Sequence, residues 1–226
     1  MLIKRLLRKL KRFFDGLIGD KSDEFFWKYK SYFSLDWRNG YLDLNTEIHP
    51  HRKILLKKLT RPYLFDSILE VGCANGTNLR MINKKIPDIK LEGIDINKKA
   101  LKEGANILKR DNILNITLKY QSAKNLSSYG SGQFDAVFCD AVLMYMGPNN
   151  INKVLKEMVR ISKKSVIICE QHTNGNSFYN DKWIHNFDFL LKNTPGIQSV
   201  NFYSISDDIW SGDWNKYGKI IVVEKM

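Results

Sequence analysis

The chain has 226 residues, of which 43% are hydrophobic and 12% aromatic, and its formal net charge is +12. This length suits one domain, and the high aromatic and aliphatic content excludes an intrinsically disordered protein. Three scattered cysteines (Cys73, Cys139 and Cys169) exclude a disulfide scaffold and a CxxC zinc site, so we expect them to pack as small hydrophobic residues. No apolar run reaches the ~18 residues that a membrane-spanning helix needs.

Residues 1–21 carry seven Lys or Arg and two Asp, a net charge of +5 out of the total of +12. Their apolar residues recur at helical spacing opposite the basic ones: Ile3, Leu6, Leu7, Leu10, Phe13, Phe14, Leu17 and Ile18 against Lys4, Arg5, Arg8, Lys9, Lys11 and Arg12. The pattern predicts a basic amphipathic helix, which is typical of proteins that bind the surface of anionic membranes. A helix that packs on its own domain, with the basic side in water, is the alternative.

Residues 22–65 are predicted to form a helical cap rich in aromatic residues, among them Phe25, Phe26, Trp27, Tyr29, Tyr32, Phe33, Trp37 and Tyr41. A helix is predicted from His49 to Arg61, because Pro50 suits a first helical turn. His49 and His51 are expected to cap this helix or to face solvent. The aromatic segment and the connection from Trp210 to Trp214 either cover an acceptor as a lid or pack as ordinary core, and the sequence leaves both readings open.

From residue 67 onward, short apolar strands alternate with helical patterns. Strands are predicted at 67–71, 90–96, 115–121, 134–140 and 165–171, and helices at 76–85, 97–110 and 150–164, the last capped by Asn149 or Asn150. A helix at 181–193 precedes two final strands at 199–205 and 219–225, which we expect to close the sheet as an antiparallel pair with no helix between them. The alternation predicts an α/β fold with a mostly parallel sheet.

Glycines and acids stand where two of these strands end. The first strand runs from Glu70 into a turn that contains Gly72 and Gly76, and the second strand ends at Asp95. Such glycines allow a ligand to approach the backbone closely, and an acid at this distance can accept hydrogen bonds from both hydroxyls of a ribose. The G-x-G-x-x-G fingerprint of dinucleotide sites is not matched, and Glu70 would repel a pyrophosphate. A ligand with a ribose and an amino group fits better.

These motifs resemble those of class I S-adenosylmethionine-dependent methyltransferases, in the segments ILEVGCANG at 68–76, GIDIN at 93–97 and FDAVFCDAVLMYM at 134–146. The resemblance covers residues 66–226. It implies a Rossmann-like, doubly wound seven-stranded sheet with an antiparallel last strand. It also implies that the cofactor is S-adenosyl-L-methionine, which leaves as S-adenosyl-L-homocysteine.

The resemblance further implies roles for single residues. Glu70 would help to hold the methionine amino group, Asp95 would bind the ribose hydroxyls, and Ile96 would lie on the adenine. The other implied cofactor contacts are Gly72, Cys73, Ala74, Gly76, Ser122, Ala123 and Asp140. Ala74 replaces a usual glycine, which is tolerable if this residue avoids positive φ. Tyr145 stands where many members with small-molecule acceptors have His, so a His base cannot be assumed there.

A general base is needed only if the acceptor is a hydroxyl or an ammonium. The candidates at predicted strand ends are Asp140, Tyr145, Glu170 and His172, and His172 is the first choice because histidine titrates near neutral pH. No cluster of metal-ligating residues is evident in the sequence, so no metal is expected.

The acceptor is expected to be a small molecule, a glycan or a lipid-linked compound that is methylated on oxygen or nitrogen. Nucleic acid is disfavoured, because the chain lacks an Asn/Asp-Pro-Pro-aromatic motif after the fourth strand. The basic helix suggests a cytoplasmic enzyme that is peripheral on the inner face of the membrane. Two alternatives stay open: an RNA methyltransferase that docks through the basic helix, and a module that binds the cofactor without catalysis.

Overall fold

The computed structural model describes residues 24, 25, 27, 28, 49–60, 65–175, 177–179 and 182–226. The amphipathic helix predicted at 1–21 and most of the aromatic segment lie outside these residues, so both stay predictions. The division into residues 1–21, 22–65 and 66–226 is likewise still a prediction. In the described part of the chain, no helix is long and apolar enough to cross a membrane.

A seven-stranded sheet forms the centre of the molecule. Its strands are β1 (Ser67–Val71), β2 (Lys90–Asp95), β3 (Ile116–Tyr120), β4 (Phe134–Asp140), β5 (Ser162–Gln171), β8 (Ile197–Ser204) and β9 (Gly218–Lys225). They lie in the order β3-β2-β1-β4-β5-β9-β8, and β9 runs antiparallel to both of its neighbours. The predicted Rossmann-like sheet with an antiparallel last strand is confirmed.

Helices and a separate hairpin complete the described fold. The helices are α1 (Pro50–Leu59), α2 (Thr77–Lys85), α3 (Lys98–Arg110), α4 (Pro148–Ile161), α5 (Phe187–Lys192) and α6 (Asp213–Tyr217), with a 3-10 turn at Leu143–Tyr145. The hairpin pairs β6 (Ser177–Tyr179) with β7 (Lys182–Ile184). The side chain of Asn97 caps α3 by accepting a hydrogen bond from the backbone of Ala100 at 3.1 Å.

Three local predictions were wrong. The helix predicted at 181–193 is replaced by β7 and the shorter α5, because residues 182–184 pair with 177–179 and Asn186 caps a later start. The cap of α4 is Gly147 rather than Asn149 or Asn150, since Pro148 occupies the first turn. The short helix α6 lies between the last two strands, where no helix was expected.

Alternate residues along the central strands point to opposite sides of the sheet, and each side is buried. Ile68 and Phe138 belong to the apolar cluster that includes residues of α1, α2 and α3, whereas Leu69 and Val137 belong to the cluster that includes residues of α4 and α5. The three cysteines are buried in these clusters, as predicted. The strand order reverses between β1 and β4, so ligands are expected at the carboxyl ends of these two strands.

Candidate functional site

The turn after β1 is built around a glycine. Gly72 has φ +80°, and the N–H groups of Gly72 and Cys73 donate to the carbonyl of Ile94 at 2.8 and 3.0 Å. A Cβ atom on Gly72 would lie 2.4 Å from Cγ2 of Val142, in the loop after β4. Only glycine fits this close approach, which brings the turns after β1 and β4 together.

Ala74, in the same turn, corrects a sequence-based expectation. Its replacement of glycine was expected to be tolerable only if it avoids positive φ, and that condition is not met, since its φ is +49°. A left-handed conformation costs a residue with a Cβ atom about 1–2 kcal/mol. The backbone N–H of Ala74 donates to Oδ2 of Asp95 at 2.8 Å, so the strained conformation links the turn to the acid at the end of β2.

Asp95 is held from two sides. Besides the bond from Ala74, its Oδ1 atom accepts a hydrogen bond from the backbone N–H of Asn97 at 2.7 Å. Burial raises the pKa of Asp95, and the backbone hydrogen bonds oppose this effect. The carboxylate is therefore fixed in direction before any ligand binds.

Glu70 lies beneath the turn as a buried carboxyl group. Its Oε1 atom accepts a hydrogen bond from Nδ2 of Asn78 at 2.8 Å, whereas its Oε2 atom and Oδ1 of Asn78 find no hydrogen-bond partner among the described residues. Burial raises the pKa of Glu70 to about 8. Once Glu70 is ionised, its Oε2 atom and Oδ1 of Asn78 are two buried acceptors without donors, so this place suits a ligand that carries a cationic N–H group.

One cavity joins these groups at the carboxyl edge of the sheet. Of the predicted cofactor contacts, it is lined by Glu70, Gly72, Cys73, Ala74, Asp95, Ile96, Ser122, Ala123 and Asp140. Gly76 does not line the cavity; it begins α2 with φ +73°. Helical residues near the N-terminus cover the cavity, where Trp27 lies 4.7 Å from Tyr145 between ring centres, and Glu24 pairs with Lys124 at 3.0 Å.

The other end of the cavity contains a pairing that the sequence did not predict, between His51 and the predicted site residue Asp140. His51 was expected to cap α1 or to face solvent, but it is only 4% exposed. Its Nε2 atom lies 3.1 Å from both carboxylate oxygens of Asp140, at the end of β4. His51 is 89 residues away from Asp140 in sequence, and no local motif marks either residue as the other's partner.

Aromatic rings surround this pair. The ring of Trp210 lies 4.3 Å from that of His51 and 4.5 Å from that of His49. On its other side Trp210 stacks on Trp214, with ring centres 3.9 Å apart and an angle of 8° between the planes. Trp210 lines the cavity, so the connection between β8 and β9 contributes an aromatic wall to the site.

The four predicted bases are not brought together. Asp140 and Tyr145 line the cavity. Glu170 lies behind it, where its carboxylate accepts hydrogen bonds from the backbone N–H groups of Val142, Leu143 and Met144. His172 is not among the lining residues; its Nδ1 atom accepts a hydrogen bond from the backbone of Phe187 at 3.2 Å. Glu170 therefore shapes the loop after β4, and His172 tethers the start of α5.

His51, Asp140 and Cys169 also form a group of metal-ligating residue types, with one atom of each within 4.8 Å of the others. Burial and nearby carboxylates raise the pKa of the Cys169 thiol, which opposes the thiolate form that a metal ion needs. The carboxylate of Asp140 already accepts hydrogen bonds from His51 and Asn78. Hydrogen bonding therefore accounts for this cluster.

Comparison with known proteins gives a family for the central part of the chain. Residues 68–165 match the family model of a methyltransferase domain. No curated protein matches the chain.

Solved structures share the fold. The magnesium protoporphyrin IX methyltransferase of Synechocystis PCC 6803, with bound SAH, superposes with a TM-score of 0.65 at 14% identity, over 92% of this chain and 99% of that one. A geranyl diphosphate methyltransferase in complex with GPP and sinefungin superposes with a TM-score of 0.59 at 12% identity, over 77% of each chain. The [4+2]-cyclase SpnF superposes with a TM-score of 0.60 at 15% identity, over 78% of this chain and 80% of that one. At these identities the likeness shows the fold alone.

Proposed function

We propose that this chain, a class I S-adenosylmethionine-dependent methyltransferase whose residues 68–165 match the methyltransferase-domain model, methylates an oxygen or nitrogen atom of a small, uncharged or cationic acceptor. The family, the enzyme class and the cofactor that the sequence predicted are confirmed. The acceptor and the roles of single residues are our inference.

The residues of the cavity fit the cofactor. The unpartnered acceptors on Glu70 and Asn78 suit its ammonium group, and the pre-oriented carboxylate of Asp95 suits the ribose hydroxyls. Ile96 and Ser122 line the same cavity and are assigned to the adenine side. When bound, the cofactor supplies a methyl group on a sulfonium, whose leaving group is already good. The protein's task is then to align the acceptor and to take up its proton.

The observation that carries the proposal is that one cavity includes both the cofactor residues and a second set beyond them. Asp140, Tyr145 and Trp210 lie with Glu70 and Asp95 along the same cavity, so an acceptor can enter beside the cofactor. The proposal needs such evidence from the site because the fold alone does not decide the reaction, and the cyclase SpnF has the same fold.

Charge favours a small acceptor over a nucleic acid. Among the described residues that line the cavity, four carry carboxyl groups (Glu24, Glu70, Asp95 and Asp140) and two are cationic (Arg52 and Lys124). Lys124 is paired with Glu24, which reduces its attraction for a phosphate. A polyanionic acceptor would meet a net negative cavity, whereas an uncharged or cationic acceptor would not.

The basic pattern of residues 1–21 supports a location at the cytoplasmic face of an anionic membrane, with a glycan or a lipid-linked acceptor as the finer proposal. These residues lie outside the described part of the chain, so this part of the proposal rests on the sequence.

Calorimetric titration with S-adenosyl-L-methionine tests the cofactor site, and release of S-adenosyl-L-homocysteine with a panel of phenols, amines, sugars and lipid-linked glycans tests the reaction. We expect Asp95→Ala to abolish measurable cofactor binding, because it removes the ribose acceptor and the partner of Ala74. The matched control is Asp207→Ala, at an exposed acid outside the cavity. Equal affinity in Asp95→Ala and Asp207→Ala would show that the pocket is wrongly assigned.

A further inference from the structure

The net charge of the chain is concentrated in a few helices. Helices α1, α2 and α3, all of whose residues are described, carry twelve Lys or Arg side chains and one acid, Glu103. Because these helices hold +11 and residues 1–21 hold +5 of the total of +12, all other residues together carry −4. The basic character of this protein is therefore a property of three helices and of the N-terminal segment.

The three helices lie on the same side of the sheet. Leu55 of α1, Leu79 of α2 and Leu108 of α3 belong to the apolar cluster that covers this side. Seven lysines and one arginine of these helices are exposed: Lys53, Lys57, Lys84, Lys85, Lys98, Lys102, Lys109 and Arg110. We call the surface that these eight residues form the basic face.

The helices on the opposite side of the sheet are not basic in this way. Helices α4 and α5 contain four Lys or Arg side chains and two acids. Both acids are paired, Glu157 with Arg160 at 2.7 Å and Asp188 with Lys192 at 2.8 Å. The basic face is therefore not explained by a high lysine content of the chain as a whole.

Helix stability does not explain the basic face either. Cations in the last turn of a helix are favoured by its dipole, and all three helices have them there. However, Lys98 and Lys99 occupy the first turn of α3, where the dipole favours acids and disfavours cations. None of the three helices has an acid in its first turn.

The chemistry of the basic face suits lipid head groups better than nucleic-acid bases. The three helices contain no Phe, Tyr or Trp, and the one arginine of the face, Arg110, is paired with Asp111 at 2.7 Å. Proteins that bind single-stranded nucleic acids stack the bases on aromatic rings or on arginine. The other seven residues of the face are lysines, whose hydrated point charges fit the spread negative charge of an anionic bilayer.

The basic face reaches the edge of the sheet at which the cavity lies. His51 in the first turn of α1 and Ala100 in the first turn of α3 line the cavity. Lys53 and Lys98 are two residues away from them along the same helices. A membrane on the basic face would therefore lie beside the cavity, where a lipid-linked acceptor is within reach.

We propose that the basic face is a docking surface for the anionic lipid head groups of a membrane and that it orients the enzyme with the cavity beside the lipid. This inference rests on the membrane location in the proposed function, and it does not depend on methyl transfer. Attraction without inserted apolar groups is weak and sensitive to salt, and stable peripheral binding takes two signals. The basic face acts together with residues 1–21, whose apolar side is predicted to insert.

The first experiment removes three charges from the full-length protein at either of two places. The basic-face variant replaces one exposed lysine on each helix: Lys57→Gln, Lys84→Gln and Lys102→Gln. The matched control replaces three exposed lysines outside the basic face: Lys153→Gln, Lys156→Gln and Lys163→Gln. In sedimentation with phosphatidylglycerol-containing vesicles, the basic-face variant should bind about 10-fold more weakly than the wild type, and the control less than about twofold. Both variants should keep the wild-type cofactor affinity.

The second experiment measures orientation without removing any charge. The three native cysteines are buried, so a fluorescent label can be attached at Ala105→Cys, exposed on α3, or at Asn152→Cys, exposed on α4. With a quencher on the lipid head groups, the label at position 105 should be quenched more strongly than the label at position 152.

The outcomes separate the docking surface from the proposed function. Equal weakening in the two triple variants, or equal quenching of the two labels, would overturn the basic face as the docking surface. The same holds if the basic-face variant loses binding to duplex RNA while its vesicle binding is unchanged. If no acceptor is methylated but vesicle binding and quenching are as expected, the docking surface stands and the proposed reaction fails.

Discussion

The backbone N–H of Ala74 lies 2.8 Å from Oδ2 of Asp95, so the turn after β1 and the acid at the end of β2 form one unit. This bond holds the carboxylate to which we assign the ribose by means of a residue in the left-handed conformation, with φ +49°. The fixed direction of the Asp95 carboxylate therefore depends on backbone strain at Ala74.

Replacement of Ala74 by glycine should stabilise the protein. Ala74→Gly removes a conformational penalty of about 1–2 kcal/mol, and the more flexible unfolded chain offsets part of the gain, so we expect a net stabilisation of roughly 0.5–1 kcal/mol. Chemical denaturation measures the difference. The same substitution at Ala105, an exposed position inside α3, should destabilise by about 1 kcal/mol. If both substitutions destabilise equally, the strain at Ala74 is absent.

Substitution of Gly72 should be much more harmful than substitution of another glycine with positive φ. Gly72→Ala combines strain at φ +80° with a Cβ atom 2.4 Å from Val142, whereas Gly212 has φ +71° and no atom within 4 Å of its Cβ position. We expect Gly212→Ala, at φ +71° and ψ −132°, to cost about 1–3 kcal/mol through strain alone, and Gly72→Ala to cost about 1–3 kcal/mol more and to weaken cofactor binding. Thermal unfolding and calorimetry measure these effects. A similar loss of stability in Gly72→Ala and Gly212→Ala would contradict the close approach of the loops after β1 and β4.

Cofactor binding should release a proton from Glu70 at neutral pH. Burial raises the pKa of Glu70 to about 8 in the free protein, so this carboxyl group is mostly protonated at pH 7. A bound ammonium favours the charged carboxylate and lowers its pKa, so binding should release up to one proton at pH values between the two pKa values. Calorimetry in buffers of different ionisation enthalpy measures the number of protons released.

Two variants show which carboxyl group releases this proton. Glu70→Gln should bind the cofactor without the release. Glu170→Gln should keep the release, because Glu170 has a similarly raised pKa of about 8 but does not line the cavity and is held by the backbone N–H groups of Val142 and Leu143. Release that disappears in Glu170→Gln and persists in Glu70→Gln would contradict the placement of the ammonium.

Deletion of residues 2–21 should abolish binding to anionic vesicles and leave cofactor affinity unchanged. The deleted segment carries five of the twelve net positive charges, and the apolar side of the predicted helix would insert into the interface. Sedimentation with phosphatidylserine-containing and with neutral vesicles measures binding. A full-length variant with Leu6, Leu7 and Leu10 changed to Ser keeps the charge and should bind more weakly. Equal sedimentation of the full-length and shortened chains with anionic vesicles would exclude a role of residues 2–21 in membrane binding.

The cofactor half of the site could be predicted from the sequence because its determinants are local. Each strand is followed directly by the turn that carries its functional group, so Glu70, Gly72 and Asp95 could be placed once β1 and β2 were recognised. The conformation of Ala74 was missed, because φ at one residue depends on how two turns approach each other.

The acceptor half depends on contacts between distant parts of the chain. His51 comes from a helix before the first strand, Asp140 from the end of the fourth and Trp210 from the connection between the last two, and only packing of α1 on the sheet brings them together. Similarly, residues 182–184 form a strand because a partner strand is available. By itself the sequence determined the fold class, since hydrophobic periodicity and strand-end turns are properties of short segments, and the cofactor followed from the resemblance of three short motifs to those of a known family. The tertiary structure alone decided which histidine meets the carboxylate of Asp140, because that pairing depends on the positions of elements far apart in the chain.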